Sequence, residues 1–292
     1  MEQNAPHRAL EPGADLLAAL DNHFAARTVM VDAQGTRVSC RVGGAHGPVI
    51  VLLHGISSGA ASWLPCASLL AAGARVIAWD APGYGDSTPL PMPAPTARDY
   101  AARLEQLLAA LQVRPDLIVG HSLGALMAAG YAAQAAPDMQ PASFLLLSPA
   151  LGYGAPGNEA KSREVSAQRL EALDTLGVDG LAQRGPTRLL SPAATPDAQA
   201  WVRWNMRRLH PDGYRQAVAL LCGDDIDEYL ADASRPVDVG CGAQDVVTTP
   251  AASSALAGRC QFPFHLIADA GHACYIEQPQ AVAQRIRATL HD

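Results

Sequence analysis

The chain has 292 residues, 49% of them from the AVILMFWYC set and 17% charged, with a formal net charge of −7. That composition is globular and supplies a sizeable core, and the acidic balance argues against a nucleic-acid partner, which selects a basic surface. Length alone fits one large α/β domain or two small ones.

The N-terminal stretch MEQNAPHRALEPGADLL lacks a basic region followed by a long apolar core, so no signal peptide is expected. No uncharged apolar run approaches the roughly 18 residues a membrane span needs. Of the six cysteines, Cys40, Cys66, Cys222, Cys241, Cys260 and Cys274, none forms a CxxC pair or has a His at metal-ligand spacing. Reduced, mostly buried thiols and a soluble cytoplasmic protein are the expectation.

Leu16, Leu17, Leu20 and Phe24 fall at helical spacing, which predicts a helix over 13–27. TVMV and TRVSCRV flank DAQG, a hairpin pattern. PVIVLL (48–53), ARVIAW (74–79), DLIVG (116–120) and SFLLLS (143–148) are continuous apolar runs suited to strands buried on both faces. PVDVGCG (236–242) and FHLIA (264–268) repeat that character. Helical patterns over 97–111 and 123–136 alternate with them, and alternation of this kind implies a parallel sheet covered on both faces. From about Gly152 to Leu230 the alternation stops. SREVSAQRLEALDTLG and AQAWVRWNMRRLH are helical, turn-rich stretches bracket the segment, and no good strand lies within it. The expected organisation is an N-terminal helical extension (1–27), a core in two parts (28–151 and 231–292) and a helical lid (152–230).

Gly120-His121-Ser122-Leu123-Gly124 sits between a strand pattern and a helix pattern. In that setting a G-x-S-x-G forms a sharp turn that lifts the Ser above the carboxyl edge of the sheet, and the two glycines leave room for it. An ordinary N-cap Ser is the alternative. A serine nucleophile needs a base, and the base an orienting carboxylate, each on a loop after a late strand. His272 follows FHLIA and fits the base, whereas His265 lies inside the run and His291 at the chain end. Asp245, in CGAQDVVTTP, fits the acid better than Asp238 within the strand, Asp224 and Asp225 in the insertion's tail, or Asp269 on the loop of His272. A helix-capping carboxylate is the alternative for Asp245. Oxyanion donors are expected at the backbone N–H of Leu123, at a helix N-terminus, and of Ile56, after PVIVLL. His54 reads as a loop organiser.

Five landmarks in order, HG at His54 with Trp63 nine residues on, DAPGYGDS, GHSLG, GAQDVVTTP and AGHACYIEQP, span most of 28–290. In these the chain resembles the α/β-hydrolase superfamily, in its group of capped, cofactor-free esterases and meta-cleavage-product-hydrolase-like enzymes. The resemblance implies an α/β fold with an eight-stranded, mostly parallel sheet and a helical lid over the active site. It departs from the C–C-bond hydrolases, which usually carry Trp after the catalytic His where Ala273 stands here. It departs also from dehalogenases and epoxide hydrolases, whose nucleophile is Asp where this chain has Ser122.

The leading expectation is a serine hydrolase acting on a carboxylic ester or similar small acyl substrate through Ser122, His272 and Asp245. One alternative is a C–C hydrolase or lactonase acting on an acidic ring-cleavage product. Its motive is the basic helix WVRWNMRRLH, with Trp201, Trp204 and Arg208 on one face and Arg203 and Arg207 on another, where an Arg could hold a substrate carboxylate bidentately. A solvated helix whose tryptophans pack the lid onto the core is the plainer account of the same residues. A slow-turnover ligand receptor on the same fold is the other alternative. Trp63, Trp204 and Arg208 are the candidate substrate contacts. No metal site, phosphate loop or cofactor is implied. The expected partner is a small acyl compound, with neither nucleic acid nor membrane, and a homo-oligomer stays open.

Overall fold

The computed structural model describes residues 11–231 and 233–290. Residues 1–10 of the expected N-terminal extension and His291 lie outside them.

Helix α1 (Ala14–His23) precedes a hairpin of β1 (Ala25–Met30) and β2 (Arg37–Gly43). The helix expected to reach Arg27 ends four residues earlier, because Ala25 to Arg27 pair with Val42 to Cys40 in the antiparallel ladder. Arg41 closes the helix end by donating through Nη1 to the Phe24 carbonyl at 2.8 Å. Then come β3 (Val49–Leu53), a 3₁₀ turn (Ala60–Trp63), α2 (Leu64–Leu70), β4 (Arg75–Trp79), α3 (Ala97–Ala110), β5 (Leu117–His121), α4 (Leu123–Gln134) and β6 (Ser143–Leu147). Between β6 and β7 (Val237–Gly242) lie α5 (Glu159–Leu189), α6 (Pro196–Met206), α7 (Pro211–Gly223) and α8 (Ile226–Leu230). Helix α9 (Pro250–Cys260), β8 (Phe264–Ile267), α10 (Cys274–Glu277) and α11 (Pro279–Thr289) complete the chain.

The eight strands form one sheet in the order β1-β2-β4-β3-β5-β6-β7-β8. Pairings β1–β2 and β2–β4 are antiparallel and the rest parallel. Every residue of β5, β6 and β7 is buried, as the continuous apolar runs require of strands covered on both faces. Helix α4 is buried from Leu123 to Ala132, so its apolar character runs all round rather than along one stripe. From β3 the chain steps outward to β4 and then returns to the other side of β3 as β5. The crevice at the carboxyl ends of β3 and β5 is therefore the switch point where ligands of open α/β sheets bind.

The insertion leaves and rejoins the core at one place: Gly152 bridges Asp225, and Ile226 N–H donates to the Leu151 carbonyl at 2.8 Å. Asp224 ties it to α3, its Oδ2 accepting from Ala97 N–H and the Tyr229 hydroxyl, each at 2.6 Å. Gln216 of α7 clamps the Pro-rich connection before α3, donating to Leu90 and Met92 carbonyls at 2.7 and 2.8 Å. Trp201 of α6 is buried and donates through Nε1 to the Ser62 carbonyl at 3.3 Å. All six cysteines are unpaired and five are buried. No helix among the described residues is long and apolar enough to cross a membrane.

Candidate active site

Ser122 occupies the turn from β5 into α4 with φ 52° and ψ −118°, a conformation that costs a non-glycine residue about 1–3 kcal/mol. The surroundings hold it there. Its N–H donates to the Leu147 carbonyl at 2.9 Å, and its own carbonyl accepts from Ala125 and Ala150 at 2.9 and 3.1 Å. The flanking glycines make the turn sterically feasible. A Cβ at Gly120 would lie 2.4 Å from the Gly124 carbonyl oxygen, and one at Gly124 would lie 2.4 Å from that of Leu53. The Ser122 hydroxyl makes no capping bond to α4, so the N-cap alternative does not describe it. Ser122 and His272 instead line the same cavity. The described side-chain hydrogen bonds of His272 run to Asp245 and Thr248, and none joins it to Ser122 Oγ.

His272 stands on the loop after β8, and its Nδ1 lies 2.9 Å from Asp245 Oδ2 on the loop after β7. The Asp245 and His272 side chains are 0% and 4% exposed. Burial pushes the Asp245 carboxyl upward, but the hydrogen bond and charge of His272, with the Val247 amide, outweigh it and hold the group well below the usual carboxylate range. Asp245 Oδ1 accepts from Val247 and Thr248 N–H at 2.7 and 3.1 Å, and the Thr248 hydroxyl reaches Oδ2 at 3.0 Å. Asp245 thus organises its own turn and also faces the imidazole. With Nδ1 engaged, Nε2 is the nitrogen of His272 left for the cavity. His121 braces this loop from below, its Nε2 2.8 Å from the His272 carbonyl.

After β3, His54 accepts from Ala81 N–H through Nε2 at 3.0 Å, which leaves Nδ1 as the donor to the Gly55 carbonyl at 2.8 Å. Gly55 C=O and Ile56 N–H share one peptide plane, so His54 sets the direction of the Ile56 N–H. The Tyr84 hydroxyl fixes the next peptide by donating to the Ile56 carbonyl at 2.8 Å. Gly55 approaches Ser122 so closely that a Cβ there would lie 2.9 Å from Ser122 Cβ. Neither Ile56 nor Leu123 N–H has a backbone acceptor among the described residues.

The three residues expected to touch substrate do not line this cavity. Trp63 is fully buried beneath it, stacked on Tyr275 at a centroid distance of 4.1 Å. Trp204 stacks on Trp201 at 4.9 Å, and the Arg208 guanidinium lies 4.6 Å over the Trp204 ring. Arg208 belongs to a different depression, beside Arg41 and Asp80. The reason for Trp204 is rotational: α6 turns Val202, Asn205 and Met206 to the Ser122 cavity, and at 3.6 residues per turn Trp204 falls on another face, while Arg208 lies past the end of the helix. The plainer account, tryptophans packing the insertion onto the core, describes what Trp201 does. The arginines that line the cavity are Arg169, Arg184 and Arg188 of α5, which the sequence reading passed over. Their one legible signal is the four-residue spacing of Arg184 and Arg188, which puts both on one helix face.

The insertion also grips the His272 loop directly. Glu277 accepts from Gly271 N–H at 2.7 Å, Ser191 N–H at 3.0 Å and the Ser191 hydroxyl at 2.5 Å. Ala273 N–H donates to the Leu189 carbonyl at 2.8 Å. Among the described residues no group of His, Cys, Asp and Glu is placed to hold a metal ion.

Comparison with known proteins gives a consistent result. A profile described as the alpha/beta hydrolase family matches residues 50–285. The pimeloyl-[acyl-carrier protein] methyl ester esterase of Xanthomonas oryzae pv. oryzae is 27% identical over 261 residues, covering 83% of this chain and 94% of its own. Among solved structures, a thermophilic esterase from Thermogutta terrifontis superposes with a TM-score of 0.76 at 25% identity, covering 91% of this chain and 98% of that one. The enol-lactonase of Burkholderia xenovorans LB400 gives 0.79 at 23% identity, covering 91% and 100%, a likeness of fold.

Proposed function

The chain belongs to the alpha/beta hydrolase family, and on that premise we propose that it is a serine hydrolase cleaving a carboxylic ester or similar small acyl compound. The observation that carries the proposal is the strained, unbonded Ser122 hydroxyl sharing a cavity with a His272 that is paired to a buried Asp245. An esterase among the relatives supports the choice of bond.

Ser122 Oγ attacks the substrate carbonyl while His272 Nε2 takes its proton. Asp245 holds the imidazole in the tautomer that presents Nε2 and stabilises the imidazolium that forms. The Ile56 and Leu123 N–H groups, left without backbone acceptors, stabilise the oxyanion, and α4 adds its positive N-terminal end. His272 returns the proton to the departing alkoxide, which leaves as the alcohol. Water, deprotonated by His272, then cleaves the acyl-enzyme, releasing the acid and restoring Ser122. The helical insertion over 152–230 acts as the lid that shapes the cavity, about 240 Å³ in volume, which suits a small acyl group.

Ser122→Ala lowers kcat on 4-nitrophenyl butyrate by on the order of 10⁵-fold with an unchanged far-UV circular dichroism spectrum. A variant working at the wild-type rate would overturn the assignment.

A further inference from the structure

The cavity above Ser122 has a charge at odds with the molecule around it. The chain carries a formal net charge of −7, yet neither the cavity nor the adjoining lobe that shares Ser122 is lined by a single Asp or Glu among the described residues. Arg169 and Arg188 line both lobes, as do Ser122, Ile56 and Val247, so the two arginines stand where the lobes meet over the nucleophile. Arg184 and Arg188, one helical turn apart, are exposed at the mouth of the first lobe, whereas Arg169 is half-buried. None of the three has a carboxylate partner among the described residues. None of the five acids of α5 pairs with them: Asp174 pairs with Arg215, Asp179 with Arg207 and Glu164 with Lys161. Lys161 of the second lobe is already paired with Glu164. Arg169 has one neutral contact, the Tyr214 hydroxyl at 3.3 Å, which orients the guanidinium without neutralising it. The remaining walls are largely apolar, including Leu176, Leu181, Val202 and Met206.

Unpaired guanidinium groups on an apolar, partly enclosed wall form a site for an anion, and a planar fork matches a carboxylate best. Building on the serine-hydrolase reading, we propose that Arg169 and Arg188, with Arg184 at the rim, select acyl substrates bearing a second, free carboxylate. Such a substrate is a half-ester of a dicarboxylic acid. Its ester carbonyl meets Ser122, its carbon chain lies against the apolar wall, and its free carboxylate reaches the α5 arginines. This role belongs to α5 and not to Arg208, which lies past the end of α6 and lines a different depression.

The test uses matched pairs, the monomethyl and dimethyl esters of succinate, glutarate and adipate, which differ in one charge at constant chain length. Methanol release measures turnover, and calorimetry on Ser122→Ala measures binding without turnover. At one or more lengths the monoester exceeds the diester at least tenfold in kcat/KM and in affinity for Ser122→Ala, and rising salt shrinks the affinity gap. In Arg169→Met/Arg188→Met the monoester-to-diester ratio falls at least tenfold. Monoester binding no tighter than diester binding at all three lengths overturns the carboxylate site, whether or not either compound is hydrolysed. A binding preference that disappears with the arginines, in a protein that hydrolyses none of the esters, sinks the ester reading and leaves the carboxylate site standing.

Discussion

His121, immediately before Ser122, is buried between the Trp63, Tyr275 and His272 rings. Its Nε2 donates to the His272 carbonyl, and its Nδ1 has no hydrogen-bond partner. A protonated ring would bury a charged N–H with no acceptor. Burial, with the nearby charge of His272, accordingly pushes the imidazole down from 6.5 to about 3. The unfolded chain therefore binds a proton between those values that the folded one refuses, so stability is complete above pH 6.5 and is lost as pH falls towards 3. His54 is lowered in the same direction, chiefly by burial. Asp245, held below its ordinary value, adds a loss only under about pH 4. His121→Asn keeps a donor for the His272 carbonyl but does not titrate. The urea midpoint of wild type should fall more steeply from pH 7 to 4 than that of His121→Asn, with His54 leaving a residual slope. Parallel slopes would show that His121 is not the neutral buried base described.

At the scale of elements, the insertion and the His272 loop are built as one piece. Glu277 of α10 gathers Gly271 from the loop and Ser191 from the end of α5 onto one carboxylate. Replacing the carboxylate with an amide leaves one acceptor oxygen and sets an NH₂ against groups that are themselves donors. Glu277→Gln should cost about 1.5–3 kcal/mol of stability, read from urea unfolding, because charge-assisted bonds are lost and a donor is left facing donors. Gly271 adjoins His272, so the variant should also lower kcat more than it raises KM. Lost stability at unchanged kcat would reduce Glu277 to a structural tie. None of this is legible in the sequence: Glu277 is the single acid of AGHACYIEQP, but nothing beside it marks its role, and its partner Ser191 lies 86 residues away. The α6 helix, by contrast, was legible as a helix but not as a face. WVRWNMRRLH offers one aromatic and arginine stripe at 201, 204 and 208 and another at 202, 205 and 206. Which stripe meets the Ser122 cavity depends on the docking of Trp201 against Ser62, a tertiary contact that periodicity does not encode.

Across the whole molecule the same contrast separates core from insertion. Strands buried on both faces must be apolar at every position, so their sequences announce them, and the order of strand, turn and helix then places Ser122, Asp245 and His272 at one end of the sheet. The insertion has no such constraint. Of the 31 residues of α5 only Leu173, Ala182, Gly185 and Pro186 are buried. The helix is interrupted at Gly177, where φ is 62°, and Pro186 supplies no N–H to it. Few buried contacts and a broken hydrogen-bond ladder put a segment at the low end of local stability. The tail of α5 is nonetheless held by the Leu189–Ala273 and Ser191–Glu277 bonds, so opening should begin at Gly177 and not at Leu189. Native-state hydrogen exchange should therefore find amides around 174–181 exchanging by local opening. Those of β5 and β6 should exchange only through global unfolding, and amides next to Leu189 should fall between. Uniform protection across all three regions would mean that insertion and core unfold as a single unit. The graded result would place the least stable part of the insertion in the stretch of α5 around Gly177, between Arg169 and Arg184.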